Sequence, residues 1–190
     1  SSHDIDTDFL RYKLNAILPA EIAVHEVSEV RDDFHSRFDA TSREYKYFIH
    51  RKKDPFMSDR SYLFTLPLDL EAMNRGAALL LGEHDFSCFE KVGGNNKTSV
   101  CNITDARWET WTPDHVRIMG YPCIDGDYIV FTVRADRFLR NMVRAIVGSM
   151  IEIGRGKRSP EWIGELVDHG TRSDAGQSVP GHALFLTECP

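Results

Sequence analysis

One long helix is predicted at residues 135–154, ADRFLRNMVRAIVGSMIEIG, and the rest of the chain is expected to pack around it. Spaced at about 100° per residue, its apolar side chains form one broad stripe, which is typical of a buried helix face. The stripe consists of Leu139, Met142, Val143, Ile146, Val147, Met150 and Ile153. Asp136 is a suitable N-cap and Gly154 a suitable stop, so the pattern predicts both ends of the helix.

Three arginines, Arg137, Arg140 and Arg144, lie along one edge of this stripe. An arginine in that place can rest its aliphatic stem on the core while its guanidinium stays at the surface. Cations near a helix N-terminus are disfavoured by roughly 0.3–1 kcal/mol each, because the helix dipole puts partial positive charge there. We therefore expect an anion or a carboxylate beside these arginines. Pairing with neighbouring glutamates is the alternative, and it is the simpler interpretation for any one arginine.

Composition indicates a globular protein with an uneven charge distribution. Of 190 residues, 42% are hydrophobic and 11% aromatic, and no apolar run reaches the roughly 20 residues of a membrane span. The net charge of −6 argues weakly against a nucleic-acid partner. However, two basic islands, residues 43–60 at +3 and residues 134–158 at +5, would suit a polyanion. Either island alone could equally be a solvated surface.

No metal site, cofactor motif or disulfide framework is expected. The four cysteines stand far apart, the eight histidines are scattered, and neither set has the spacing of a zinc motif. Free thiols in a reducing compartment fit this pattern. His84 and Asp85 could form a general-base pair, which would make the chain a small-molecule hydrolase. Adjacent residues rarely point at each other, so a structural turn is the better interpretation.

Periodicity and turn signals predict an α+β fold with an antiparallel or mixed sheet and helices packed on one face, as a single domain over residues 1–190. Further helices are predicted at residues 8–18, 69–81 and 159 to about 167, and strands at 22–30, 100–111, 115–119, 128–134 and near 183–189. The segment SREYKYFIHRKKD, residues 42–54, has aromatic side chains on both faces and predicts a central strand. Its Tyr45 could stack on a nucleobase or fill the sheet core, and the core position is favoured on this segment alone.

Three segments resemble the tRNA pseudouridine synthase A family: RFDATSREYKYFIH, LLGEHDFSCFEK and FLRNMVRAIVGSMIEIGRGK. They occur in the family's order, and the similarity runs from LNAILPAEIAVHEV to the last residue. The resemblance implies a pseudouridine-synthase-like fold and the isomerisation of uridine to pseudouridine in the anticodon stem-loop of tRNA. It also implies a cytoplasmic homodimer that needs no cofactor or metal and does not bind membranes. The alternative is a non-catalytic RNA-binding module that uses the basic islands and an aromatic side chain.

The resemblance also implies roles for three residues. Arg144 matches the arginine that pairs with the family's catalytic aspartate, and Tyr45 matches the tyrosine that stacks on the base. Arg140 matches a neighbouring basic position, which either binds a phosphate group or makes a structural contact within the protein. The aspartate itself belongs to a G-R-T-D-A-G-V-H-type motif that is absent here. The chain is therefore expected to be the C-terminal two-thirds of a synthase and inactive alone. Asp174, in TRSDAGQ at residues 171–177, is a partial match interpreted as coincidental.

Overall fold

The computed structural model describes residues 5–91, 93 and 97–190, and the chain divides into two compact units that meet at Asp39 and Ala40. The first unit contains helix α1, Thr7–Ile17, close to the prediction, with Asp6 as its N-cap. The predicted strand at residues 22–30 is wrong, because this segment has no partner strand among the described residues. Asn15 of α1 holds it instead: its side chain bonds both the N–H and the C=O of Val24, each at 2.8 Å.

The second unit is built on a six-stranded mixed sheet. Its strands are β1 (Arg43–His50), β2 (Tyr62–Leu63), β3 (Gly82–Asp85), β4 (Val100–Thr110), β5 (Tyr128–Ala135) and β6 (Leu184–Glu188). They follow the order β2-β1-β5-β4-β3, and β6 pairs with β1 along the edge that β1 also uses for β2. Only the short β1–β2 pairing is parallel among the described strands. The predicted α+β fold and the central position of β1 are confirmed.

Four helices accompany this sheet: α2 (Leu70–Ala78), α3 (Asp114–Met119), α4 (Met142–Gly154) and α5 (Trp162–His169). Helices α2, α4 and α5 supply side chains to one large core that also receives the inward side chains of β1, β4 and β5, as predicted for helices on one face. Asp69, the first residue of the predicted helix 69–81, caps α2 by accepting from the Ala72 N–H at 2.9 Å. No helix in the described ranges has the length and apolar character that a membrane crossing needs.

The start of the central helix differs from the prediction. Helix α4 begins at Met142 instead of near Ala135, because β5 continues to Ala135 and Asp136 caps the end of the sheet. The Asp136 carboxylate accepts from the N–H groups of Asn102 and Arg137, at 2.8 and 2.7 Å. Residues 136–141 therefore form a loop, which ends at the one non-glycine residue with positive φ in the described chain, Asn141 at 69°. Of the three arginines, only Arg144 lies in the helix.

Helix α3 corrects a second prediction, since residues 115–119 were expected to form a strand. A carboxylate in its first turn, Asp114, and a left-handed glycine at its end, Gly120 with φ 66°, favour a short helix instead. Its Val116 packs with Met57 and Tyr128 in a second, smaller cluster, separate from the large core.

Asp54 forms hydrogen bonds that connect several residues in and around this second cluster. It is 8% exposed, and its Oδ2 accepts from the Tyr128 hydroxyl and bonds His115 Nε2, both at 2.7 Å. Its Oδ1 accepts from the Phe56 N–H at 3.0 Å. Burial alone would raise the pKa of Asp54, but these hydrogen bonds outweigh burial and lower the pKa below its usual value.

Candidate functional site

A cleft of about 710 Å³ opens at the N-terminal end of α4. Its lining comes from four separate parts of the chain and consists of Lys91, Arg140, Asn141, Arg144, Arg172, Ser178 and Leu184. Four of these seven side chains are cationic and none is acidic. The dipole of α4 adds partial positive charge at the same end of the helix. An anionic ligand is therefore the chemistry that this cleft favours.

Arg144 is fixed in the cleft through one edge of its guanidinium. Its Nε donates to the carbonyl oxygen of Val179 at 2.6 Å, and the Val179 N–H donates back to the carbonyl oxygen of Arg144 at 3.2 Å. Among the described residues, Nε is the only side-chain nitrogen of Arg144 with a hydrogen-bond partner, and no carboxylate forms an ion pair with it. Both terminal amino groups remain available, in the planar fork that binds a carboxylate with two hydrogen bonds.

Close packing of residues 176–179 on α4 sets the position of Val179. A Cβ atom at Gly148 would overlap the carbonyl oxygen of Gln177, so only glycine fits there. At the next residue, Ser149 Oγ accepts from the Gly176 N–H at 2.8 Å and donates to the Ala145 carbonyl oxygen at 3.0 Å. The backbone that holds Arg144 is itself held by the helix that carries Arg144.

Arg172 also lines the cleft, although nothing in the sequence singled it out, and it lies in the segment interpreted as a coincidental match. Its Nη1 donates to the Gly176 carbonyl oxygen at 3.1 Å and its Nη2 to Ser178 Oγ at 2.8 Å. Asn141 Nδ2 donates to the same Ser178 oxygen at 2.6 Å. No local sequence pattern marks Arg172, because its place in the cleft depends on how residues 171–179 fold back onto α4.

Asp174, the acid of that segment, has a structural role. Its Oδ2 accepts from the N–H and the hydroxyl of Thr171, at 2.9 and 2.6 Å, and these bonds lower its pKa. Asp174 does not line the cleft. The coincidental interpretation of TRSDAGQ therefore agrees with the geometry.

Tyr45 lies beside the cleft and does not line it. On the face of β1 that points to the large core, Tyr45 stands opposite Leu186 of β6, and Tyr47 stands opposite Leu184. Since Leu184 lines the cleft, Tyr45 is the diagonal neighbour of a cleft residue. Its half-buried ring packs edge-on against Phe138, with ring centroids 5.1 Å apart. The structure thus brings Arg140 and Arg144 into one cleft and puts Tyr45 next to it.

Tyr47 is a second residue that sequence reasoning did not single out. Its side chain is fully buried, and its hydroxyl donates to the Pro180 carbonyl oxygen at 2.8 Å. Burial raises the pKa of Tyr47, and the nearby charge of Arg144 opposes that rise in part. The neutral phenol therefore ties β1 to the same backbone segment that holds Arg144.

The His84–Asp85 hypothesis finds no support in the geometry. His84 Nε2 bonds the Leu81 carbonyl oxygen at 2.9 Å, whereas Asp85 Oδ1 accepts from the Ser87 N–H at 2.8 Å. The two side chains serve separate turns outside the cleft. Within the described ranges, no three histidine, cysteine, aspartate or glutamate side chains are grouped as metal ligands would be.

Comparison with known proteins places these features in a family. The sequence profile described as tRNA pseudouridine synthase matches residues 77–190, which include helix α4 and all seven residues that line the cleft. The chain belongs to the tRNA pseudouridine synthase family. The resemblance drawn from the three sequence segments is thereby confirmed.

Several curated relatives are named tRNA pseudouridine synthase A. The protein of Parabacteroides distasonis is 45% identical over 183 residues, which is 96% of this chain and 67% of the relative. Those of Bacteroides fragilis and Porphyromonas gingivalis are each 42% identical, over 96% and 93% of this chain and 67% and 66% of the relatives. The chain therefore spans about two thirds of the length of these relatives.

Proposed function

We propose that this chain acts in the conversion of uridine to pseudouridine in the anticodon stem-loop of tRNA, and that the cleft at the start of α4 receives the target nucleotide. One observation carries the proposal: Arg144 is fixed by Val179 with two amino groups free, in a cleft lined by four cations and no acid. The names of the relatives support tRNA as the substrate. We further propose that the protein works in the cytoplasm as a homodimer. Light scattering of the purified chain tests the dimer, because it measures the molar mass.

The reaction breaks the C–N glycosidic bond, turns the detached uracil and rejoins it through carbon. It requires a carboxylate near the ribose or base, and we propose that Arg144 holds this carboxylate through its free amino groups. In this assignment Tyr45 supports the extruded base from beside Leu184. Extrusion is required because the reacting atoms are inaccessible in a stacked nucleotide. Among the described residues of the unit that holds Arg144, residues 40–190, no carboxylate forms an ion pair with it, and we propose that the acid is supplied by another segment.

We expect the 190-residue chain to bind an unmodified tRNA transcript without forming pseudouridine. Affinity should fall steeply with salt, because phosphate contacts release counterions. Filter binding at several salt concentrations measures the affinity, and liquid chromatography of the digested nucleosides, which separates pseudouridine from its isomer uridine, measures the conversion. Affinity should also drop when the uridines of the anticodon stem-loop are replaced by cytidine, whereas a non-catalytic RNA-binding module would bind both RNAs alike.

The control for this experiment is Arg75→Gln, which removes an exposed arginine of α2 that pairs with Glu71 at 2.9 Å. It should bind tRNA as the unchanged chain does, while Arg144→Gln should bind more weakly, because it removes one of the four cations of the cleft. Equal affinity for tRNA and for a DNA hairpin of the same length would contradict the proposal. Pseudouridine formation by the chain alone would show that it contains its own acid, and Asp174→Asn would then test the nearest motif match.

Tyr45→Ala is expected to weaken binding of the uridine-containing stem-loop about tenfold, since stacking on an aromatic side chain contributes roughly 1–3 kcal/mol per base. Tyr45→Phe retains the ring and should bind normally. Because the Tyr45 ring is only half-buried, both variants should unfold cooperatively. Fluorescence anisotropy with a labelled stem-loop checks the affinities. An unchanged affinity for Tyr45→Ala would remove this residue from the site.

A further inference from the structure

We propose that Arg172, together with Lys91 and Arg140, forms a phosphate-binding subsite next to Arg144, which holds the RNA backbone beside the target nucleotide. The assignment of the phosphate to RNA rests on the proposed function. The inference that a phosphate group binds here is independent of the proposed function, because it follows from the hydrogen bonds and charges of the cleft.

Arg172 is oriented by neutral groups, so its charge is not compensated. Two of its five N–H groups donate to the Gly176 carbonyl oxygen and the Ser178 hydroxyl oxygen. No carboxylate pairs with it in the part of the chain that the structure describes. Its half-buried side chain is thus held in one orientation, with three donors left for a ligand. Little conformational entropy is then lost when an anion binds.

Ser178 contributes a further donor. A serine hydroxyl has one proton to donate and two lone pairs that accept. Arg172 Nη2 and Asn141 Nδ2 both donate to Ser178 Oγ, at 2.8 and 2.6 Å, so both acceptor positions are occupied. The hydroxyl proton is left without an acceptor among the described residues. Because Ser178 lines the cleft, this proton is available to a phosphate oxygen.

Lys91 and Arg140 complete the cationic side of the subsite. They come from separate loops, which are joined where the Lys91 N–H donates to the Arg140 carbonyl oxygen at 3.0 Å. Both side chains are exposed and line the same cleft as Arg172. The guanidinium of Arg144 alone would neutralise the charge of one bound carboxylate. The three remaining cations match a ligand with additional negative charge, and a phosphodiester next to the bound nucleotide has that charge.

The test uses inorganic phosphate as the probe and the Nε–Hε NMR signals of the arginines as the readout. In the unchanged chain, the Arg172 signal should shift saturably with phosphate. Arg172→Gln should weaken phosphate binding about tenfold or more, because it removes charge-assisted hydrogen bonds. Ser178→Ala should weaken it less, and Arg75→Gln not at all. Arg172→Lys retains the charge and serves as the second variant if Arg172→Gln does not fold.

A second measurement separates this inference from the proposed function. The slope of log affinity for tRNA against log salt is negative, and in Arg172→Gln its magnitude should decrease by about 0.7, the value for one phosphate contact on a single strand. An Arg172 signal that does not respond to phosphate, or an unchanged salt slope with intact tRNA binding, would overturn the subsite. Phosphate binding without tRNA binding would retain the subsite and refute the proposed function alone.

Discussion

Gly148→Ala should lower the free energy of unfolding by about 3 kcal/mol, because overpacking a close contact costs typically 1–3 kcal/mol and occasionally more. The new methyl group would overlap the Gln177 carbonyl oxygen, which is backbone and cannot rotate away. Residues 176–179 would have to lift from α4, and the Ser149–Gly176 hydrogen bond would break with them. Urea denaturation followed by circular dichroism measures the loss.

The matched control is Gly164→Ala in α5. A Cβ atom there would meet only Leu79 Cδ1 at 3.8 Å, an ordinary contact. Since alanine favours a helix over glycine by roughly 0.8–1 kcal/mol, this variant should be slightly more stable than the unchanged chain. Equal stability of Gly148→Ala and the unchanged chain would show that the segment is not packed closely on α4. In that case Val179 would not fix Arg144.

Asp54→Asn is expected to lower the free energy of unfolding at pH 7 by about 2–4 kcal/mol, since buried donors then lose a charged acceptor. The amide offers one acceptor oxygen where the carboxylate offered two, so Tyr128, His115 and the Phe56 N–H cannot all remain bonded. Asp59→Asn is the control, because Asp59 is exposed and bonds only its neighbour Arg60 among the described side chains. Its unfolding midpoint should stay unchanged.

The pH dependence of this effect has a definite sign. The pKa of Asp54 is lower in the folded chain than in the unfolded chain, so its stabilisation is present above the unfolded pKa of about 3.9. It is lost as the pH falls through that value towards the folded pKa. The stability difference between the unchanged chain and Asp54→Asn should therefore shrink between about pH 5 and pH 3. A difference that stays constant over this range would contradict the assigned role.

Local signals predicted those elements whose ends are set by local chemistry. Asp69 caps α2 through a bond three residues away, and aromatic side chains on both faces of residues 42–54 predicted the central position of β1 in the sheet. The start of α4 could not be predicted in this way. Asp136 has the chemistry of an N-cap, but a distant strand competes for it through the Asn102 N–H. The same limit applies to residues 115–119, which were predicted as a strand although they form α3.

The cleft shows the same division between local and long-range information. Arg144 was predicted because it lies in an amphipathic segment and because a family motif covers it. Arg172 and Ser178 could not be predicted, since both reach the cleft only through the fold of residues 171–179 onto Gly148 and Ser149. In the sequence, nothing distinguishes these two residues from the other arginines and serines. Their proximity to Arg144 is a property of the tertiary structure.

The pairing of β1 with β6 has a consequence for biosynthesis. The hydrogen bond from the Tyr47 hydroxyl to Pro180 joins residues 133 positions apart, and Leu184 of β6 is one of the residues that line the cleft. Contacts at such separation form late, because closing a long loop costs entropy before the contact stabilises anything. A nascent chain in which β6 is still inside the ribosomal exit tunnel therefore has no complete cleft. Competence for ligand appears only after β6 has left the tunnel and paired with β1.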